Sequence, residues 1–271
     1  MKASVYLITG EKGKEITLPI QFSEPLREDV IHRASLGVRS KKFQPKSNYF
    51  LAGRQNTAEY FGVKDTVGTM KNIGHSRLPR LKNRNIHAGH FGDVAGVPFA
   101  KGGPRAHPPK VDKVLVEKVN KKENRLAIRS AIAATASKEV VQKHGHSVAT
   151  VKAFPLIVEN GAEKLDKTSK VEELFSKLGL IGDVERAKDK KKVRAGVGKT
   201  RGRRYKKRKG PLVVVSADCP LASAAINLEG VEVVEVNYLN AELLAPGAHP
   251  GRLTIWTEGA VERLGKEKLF A

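Results

Sequence analysis

Three features of the 271-residue sequence predict an α/β fold: a three-layer, doubly wound, mainly parallel sheet with a long extended internal loop. Short apolar runs alternate with helical patterns through the C-terminal half, as right-handed βαβ crossovers require. Leu212-Val213-Val214-Val215 is continuously apolar into Ser216, the pattern of a strand covered on both faces. The formal net charge of +22 is concentrated: residues 41–110 carry +10 and residues 186–210 carry +13, leaving the other 176 residues at −1. A near-neutral body with two cationic insertions, within one domain over 1–271, accounts for that distribution.

Along the chain, Ser4–Thr9 and Glu15–Ile20 read as paired strands joined at Gly10-Glu11-Lys12-Gly13. Ser23 is the expected N-cap, with Pro25 in the first turn, of a helix over 24–39 in which Leu26, Val30, Ala34 and Val38 recur every four residues. Asn120 and Glu123 form a capping-box-like start to a small, apolar helix through Leu126–Ala136, expected to run on to His144. Leu156–Glu159 reads as a strand. Thr168–Leu178 reads as a helix capped at Thr168 and stopped by Gly179, and Asp183–Val193 as a helix leading into the basic run. Pro220–Leu228 is a helix stopped by Gly230, Val231–Val236 a strand, Ala241–Leu244 a short helix, Leu253–Thr257 a strand and Ala260–Leu264 the last helix.

The insertion 41–110 holds 9 Gly and 6 Pro and shows no sustained helical or alternating period between Gly62 and Lys110. Self-repulsion and proline favour an extended course. Its strip Arg77-Leu78-Pro79-Arg80-Leu81-Lys82-Asn83-Arg84 interleaves cations with apolar residues, suited to pairing phosphates while meeting sugar and base faces. Gly102-Gly103-Pro104-Arg105-Ala106-His107-Pro108-Pro109 is a stiff, small-residue segment able to thread between close backbones. The second insertion, 186–210, ends in Thr200-Arg201-Gly202-Arg203-Arg204-Tyr205-Lys206-Lys207-Arg208-Lys209-Gly210. Such a block is expected to fold against a polyanion, with Tyr205 stacking on a base. No apolar run approaches the roughly 20 residues of a membrane span, and no signal-peptide core follows Met1, so nucleic acid is the expected partner and no membrane is.

Gly198-Lys199-Thr200 imitates the end of a phosphate-binding loop, yet the required glycine five positions earlier is Val193. No βα junction carries the dinucleotide glycine pattern, and the turn after Ser216 reads Ala217-Asp218-Cys219-Pro220. Histidines 75, 87, 90 and 107 lie in the first insertion without the three or four ligands of a zinc site, and are read as nucleic-acid contacts. Cys219, the single cysteine, excludes an internal disulfide and reads as a packing residue, with Asp218 as the N-cap of the helix that follows. No cofactor or metal is expected.

Arg77-Leu78-Pro79-Arg80, Gly103–Pro109, Asn120–Ala136 and Arg194 through Gly210–Ser216 closely resemble the archaeal and eukaryotic type of the large-subunit ribosomal protein L-four family, in one order over nearly the whole chain. The family's Gly-Ser/Thr-Gly-Arg motif is replaced here by Gly68-Thr69-Met70-Lys71. The resemblance implies an α/β body at the subunit surface and a loop crossing ribosomal RNA to the nascent-peptide exit tunnel. It implies a tip at Arg77, Leu78, Pro79, Arg80 and Leu81. RNA contacts are expected at Lys71, Arg77, Arg80, Lys82, Arg84, Lys101, Arg105, His107, Lys110 and Lys199, and at Arg201, Arg203, Arg204, Tyr205, Lys206, Lys207, Arg208 and Lys209. The expected function is a non-enzymatic constituent of the cytoplasmic large ribosomal subunit that aids RNA folding, with ribosomal RNA, neighbouring ribosomal proteins and the nascent peptide as partners. Two rivals are a nucleotide- or methyl-donor-dependent RNA-modifying enzyme, which needs a cofactor pocket near Ser216 and Val236, and a DNA-compacting protein.

Overall fold

The computed structural model describes residues 1–66, 69–82 and 92–270. It comprises two compact units, Met1–Lys42 with Val116–Ala271, and Phe43–Leu115.

The first unit opens with an antiparallel hairpin, β1 (Lys2–Tyr6) and β2 (Lys12–Thr17). The turn closes earlier than expected, the Leu7 N–H donating to the Glu11 carbonyl (3.0 Å) and the Gly10 N–H to that of Leu7 (2.9 Å). Helix α1 covers Glu28–Ser40, and Ser23, expected to cap it, instead ends a 3-10 turn over Ile20–Ser23. Pro25 is the reason: a residue before proline is pushed out of the helical region, and Glu24 is extended at φ −69°, ψ 142°. Arg27 takes the cap position, its N–H bonded to Ser130 Oγ at 2.7 Å.

Helix α2 (Lys121–Thr135) begins after Asn120, but Asn120 makes no side-chain cap bond, and Glu123 pairs with Arg33 of α1 at 2.9 Å. The helix does not run on to His144. Ser137 is extended and starts a separate α3 (Lys138–His144). Strand β3 (Leu156–Val158) and helix α4 (Thr168–Leu178) follow, with Lys167 rather than Thr168 at the cap position. Gly179 stops α4 at φ 79°, and a Cβ there would lie 2.0 Å from the Thr150 carbonyl.

Helix α5 (Ile181–Asp189) ends four residues before Val193; Lys192–Val193 is a short strand β4, paired antiparallel with β5 (Tyr205–Lys206). Strand β6 (Leu212–Val215) is buried at every position. In helix α6 (Pro220–Ala225) the cap position falls to Cys219, not Asp218, because Pro220 at the first helical position keeps its predecessor extended. Strand β7 (Glu232–Glu235), helix α7 (Ala241–Leu244), strand β8 (Thr254–Thr257) and helix α8 (Glu258–Lys266) complete the unit.

Six of these strands form one sheet in the order β2-β1-β3-β8-β6-β7, parallel except for the β1–β2 pair. Alternate residues face opposite sides. Val5, Ile157, Val214 and Trp256 meet Ile31, Ile132, Leu244 and Leu264 of α1, α2, α7 and α8. Tyr6, Leu156, Val158, Val213 and Ile255 meet Val141, Phe175, Leu178, Val184 and Leu221 of α3 to α6. Trp256 is fully buried, edge-on to Phe22 at 5.2 Å. At roughly 1.5–3 kcal/mol for each large side chain removed from water, both faces contribute substantially.

The second unit has no helix or regular strand among its described residues. Its backbone is tied by isolated bridges: Arg80 pairs antiparallel with both Glu59 and Val94. Met70 is buried, 2% exposed, its N–H bonded to the Phe61 carbonyl at 2.7 Å.

Candidate nucleic-acid interface

The second basic run lies on the β4–β5 hairpin of the first unit. Val193 opposes Tyr205, and Arg194 ties the arms together: its N–H donates to the Arg204 carbonyl (2.7 Å) and its guanidinium to the carbonyls of Arg203 (3.0 Å) and Tyr205 (3.4 Å). Lys199 sits in a 3-10 turn over Val197–Lys199 at the far end. The Gly198-Lys199-Thr200 imitation of a phosphate loop is therefore an exposed hairpin turn after a two-residue exposed strand.

The cations of this run fall into two classes. Lys199, Arg201, Arg203, Arg204, Lys206 and Arg208 are exposed and meet no carboxylate among the described residues. Lys207 and Lys209 are compensated: Lys207 lies 3.7 Å from Glu229, which also pairs with Lys191 at 2.6 Å, and Lys209 pairs with Glu232. The Glu229 carboxyl is held below its ordinary range, chiefly by its hydrogen bond from Lys191. Tyr205 is half exposed, with the Lys191 ammonium 5.5 Å and the Arg204 guanidinium 6.0 Å from its ring centre.

A buried polar network fastens the base of the hairpin, and the sequence reading missed it. Arg252 is fully buried just before β8 and donates to the carbonyls of Gly210 (3.0 Å) and Leu243 (3.0 Å) and to Glu232 (2.6 Å). Burial pushes its guanidinium below the ordinary value while Glu232 acts against that shift. Burial pushes the Glu232 carboxyl up, but the charges of Arg252 and Lys209 outweigh it and leave it depressed. On the other side, buried Asp183 accepts from the Ser147 N–H (2.9 Å) and from Arg186 (2.8 Å) and meets His146 Nδ1 at 2.9 Å. Burial raises Asp183, yet these hydrogen bonds dominate and bring it to about 2. Arg186 also donates to the Lys209 carbonyl at 3.0 Å. Both networks thus grip the strand that returns from the hairpin.

The first basic strip belongs to the second unit. Pro79–Leu81 is bonded on both sides, with Arg80 exchanging bonds with Glu59 (3.1 and 3.2 Å), the Leu81 N–H donating to Asp93 and the Ala95 N–H to Pro79. Arg77 is exposed; Leu78, Pro79, Arg80 and Leu81 are half-buried; Lys82 pairs with Glu59. The Arg80 guanidinium donates to Ser76 Oγ at 2.9 Å. Lys71 follows buried Met70, its N–H bonded to Thr69 Oγ1 at 3.2 Å. Lys101 is exposed, while Arg105, His107 and Lys110 gather with Lys46 and Lys113 around one concavity. His75 is exposed. Arg84, His87, His90 and Gly68 lie outside the described residues.

At the carboxyl ends of β6 and β8, where an open α/β sheet would hold a nucleotide, the chain places its own carboxylate. Glu163 accepts from the Ser216 N–H (2.8 Å), the Ser216 hydroxyl (2.8 Å) and the Thr257 hydroxyl (2.7 Å). An anion fixed there repels a phosphate and already takes the donors one would need. Cys219 packs against the apolar layer beside it, and burial pushes its thiol up, away from the thiolate a nucleophile requires.

A model of the ribosomal protein L4/L1 family matches residues 16–267. Large ribosomal subunit protein uL4 of Pyrobaculum aerophilum is 48% identical over 264 residues, covering 97% of this chain and 89% of the relative. The protein of the same name from Methanosphaera stadtmanae is 45% identical over 264 residues, 97% of this chain and 96% of the relative. That from Methanococcus aeolicus is 46% identical over 266 residues, 98% of this chain and 99% of the relative.

Proposed function

We propose, because this chain belongs to the ribosomal protein L4/L1 family, that it is a structural, non-catalytic constituent of the large ribosomal subunit in the cytoplasm. In that role it binds large-subunit ribosomal RNA and aids its folding, beside neighbouring ribosomal proteins. The observation that carries the reading is the hairpin: exposed cations without carboxylate partners among the described residues, on a base clamped to the core by Arg252 and Arg186. Each phosphate they neutralise releases counterions, so log K falls with log salt by about 0.7–0.9 per contact.

The finer reading is one α/β domain with a doubly wound sheet, interrupted at 41–110 by an extended RNA-binding loop and at 186–210 by a basic RNA-binding insertion. Arg77, Leu78, Pro79, Arg80 and Leu81 form the loop tip at the exit-tunnel wall, in reach of the nascent peptide. The two-sided bonding of Pro79–Leu81 supports this, since it presents the strip on a defined backbone.

The test is sedimentation of the tagged full chain through high salt. It is expected to travel with the large subunit; recovery at the top of the gradient in wild-type cells would reject the assignment. Elongation pausing that is unaltered after changes at Arg77 and Arg80 would reject the tunnel role alone.

A further inference from the structure

A concavity in the second unit is built from two walls, residues 47–54 and 104–112. Its lining joins apolar Phe50, Ala52 and Pro108 to the cations Arg54, Arg105 and Lys110, which outnumber the one carboxylate there, Asp112. Phe50 is 81% exposed in a stretch whose Phe43, Tyr49 and Leu51 are exposed too, and apolar side chains that gather at a surface mark an interaction site. Arg54, Arg105 and Lys110 are exposed and meet no carboxylate among the described residues. The walls are locked by a contact only glycine permits: a Cβ on Gly53, at φ 77°, would lie 2.4 Å from the Gly103 carbonyl carbon and the Pro104 nitrogen. Turns closed from Ala52 N–H to the Tyr49 carbonyl and from Arg54 N–H to that of Leu51, each 2.9 Å, hold the first wall in shape.

We propose that this concavity takes a single unpaired nucleotide of RNA, with the base on Phe50 and the phosphate on Arg54 and Arg105. The proposal rests on the RNA-binding reading above and names a subsite within it. The cavity, about 430 Å³, falls within the roughly 300–1,000 Å³ range of small-molecule sites. A flat aromatic in the same concavity as two guanidinium groups matches a π-face joined to a phosphate. A base paired in a helix offers no free face to Phe50, so the occupant is unpaired. An acidic peptide would satisfy the three cations but leave the ring uncovered.

The experiment uses the full chain and a single-stranded RNA heptamer with a central 2-aminopurine, whose fluorescence is quenched when an aromatic stacks on it. Wild type is expected to quench it, and the same heptamer in a duplex is not expected to be quenched. Phe50→Ala is expected to weaken binding about ten-fold and abolish the quench, the loss of one stacked base, while Phe50→Trp retains both. Quenching by Phe50→Ala equal to wild type, equal quenching of the duplex, or displacement of the heptamer by a poly-aspartate decamer of matched charge would each overturn the subsite. The same preparations are titrated with a large-subunit ribosomal RNA fragment across salt. Steep salt dependence there, with Phe50→Ala unchanged on the heptamer, removes the subsite alone. No salt-dependent binding by wild type removes the RNA-binding reading itself.

Discussion

Replacing Arg252 by methionine keeps the approximate volume and removes four donated contacts at once. Glu232 loses its 2.6 Å partner and retains Lys209 at the surface; the carbonyls of Gly210, Leu243 and, at 3.5 Å, Gly230 lose a buried donor. Removing one member of a buried ion pair costs about 3–5 kcal/mol; Glu232 is only partly buried and keeps Lys209, which places Arg252→Met toward the lower end. The orphaned buried carbonyls keep it from falling below that range, though such losses do not add. Native domains are stable by only about 5–15 kcal/mol, so a third or more of the total is at stake. With an m-value of about 3 kcal/mol/M in urea, the midpoint falls by on the order of 1–1.5 M at unchanged slope. The assay is urea unfolding followed by circular dichroism at pH 7 for Arg252→Met, Glu232→Leu and the double variant. Because part of the single-variant cost is a half-buried carboxylate left with Lys209 alone, the double variant is expected to recover about 1 kcal/mol over Arg252→Met. An unmoved midpoint in Arg252→Met, or a double variant no more stable than that single, refutes the view that this pair and its carbonyls hold the hairpin base.

Three further outcomes are expected. Alanine at Arg201, Arg203 and Arg204 lowers the magnitude of the log–log salt slope for ribosomal RNA by about 2–3, whereas alanine at Lys207 and Lys209 changes it much less, because Glu229 and Glu232 already neutralise those two; equal slopes from filter binding would contradict the division. Burial and neighbouring His146 bring His144 down to about 4, so the unfolded chain, titrating near 6.5, binds more protons between those values and stability falls as pH drops from about 6.5 to 4. Asp183, at about 2, extends the loss as pH falls from about 4 toward 2, and a His144 ring titrating near 6.5 by NMR would contradict the first part. Glu163→Ala leaves the Ser216 N–H and two hydroxyls without their acceptor and is expected to cost about 1–3 kcal/mol in thermal unfolding, an effect absent if the carboxylate is merely solvated.

Much of the first unit was legible because its signals are local. The uninterrupted run at Leu212–Val215, the glycine after Leu178 and the period of α4 each lie within a few residues of what they determine. Where local signals competed, the less conspicuous one prevailed. Ser23 and Asp218 have good capping side chains, but Pro25 and Pro220 dictate the backbone of the preceding residue and move both helix starts. The cationic runs were evident in the charge count, and which of their members lack a carboxylate partner was not. Lys209 and Glu232 are 23 residues apart, and Arg186 meets the Lys209 carbonyl across the same separation. Arg252 was passed over beside the apolar Leu253-Thr254-Ile255 run, though a charge adjoining a fully buried strand needs a buried partner. The faint signal was the C-terminal segment, residues 211–271, whose net charge is −4 while the segment before it carries +13.

That acidic segment explains how a self-repelling block can be held in one place without spending its charge. Had Glu229 and Glu232 lain opposite the hairpin's far end, they would have cancelled the cations that face outward. They sit instead at its base, where Lys207, Lys209 and Lys191 are neutralised and the strand is returned to β6 through Gly210. The far end, from Lys199 through Lys206, keeps its full charge on a backbone already tied across by Arg194. A polyanion meeting this surface therefore has less chain entropy to freeze than one meeting a free tail, and the contacts it makes translate more directly into affinity. Moving the acid outward tests the logic: Glu229→Gln with Val197→Glu keeps the net charge, yet is expected to weaken both the hairpin's hold on the body and its salt-dependent affinity for RNA. Unchanged affinity in that variant would mean that only total charge matters.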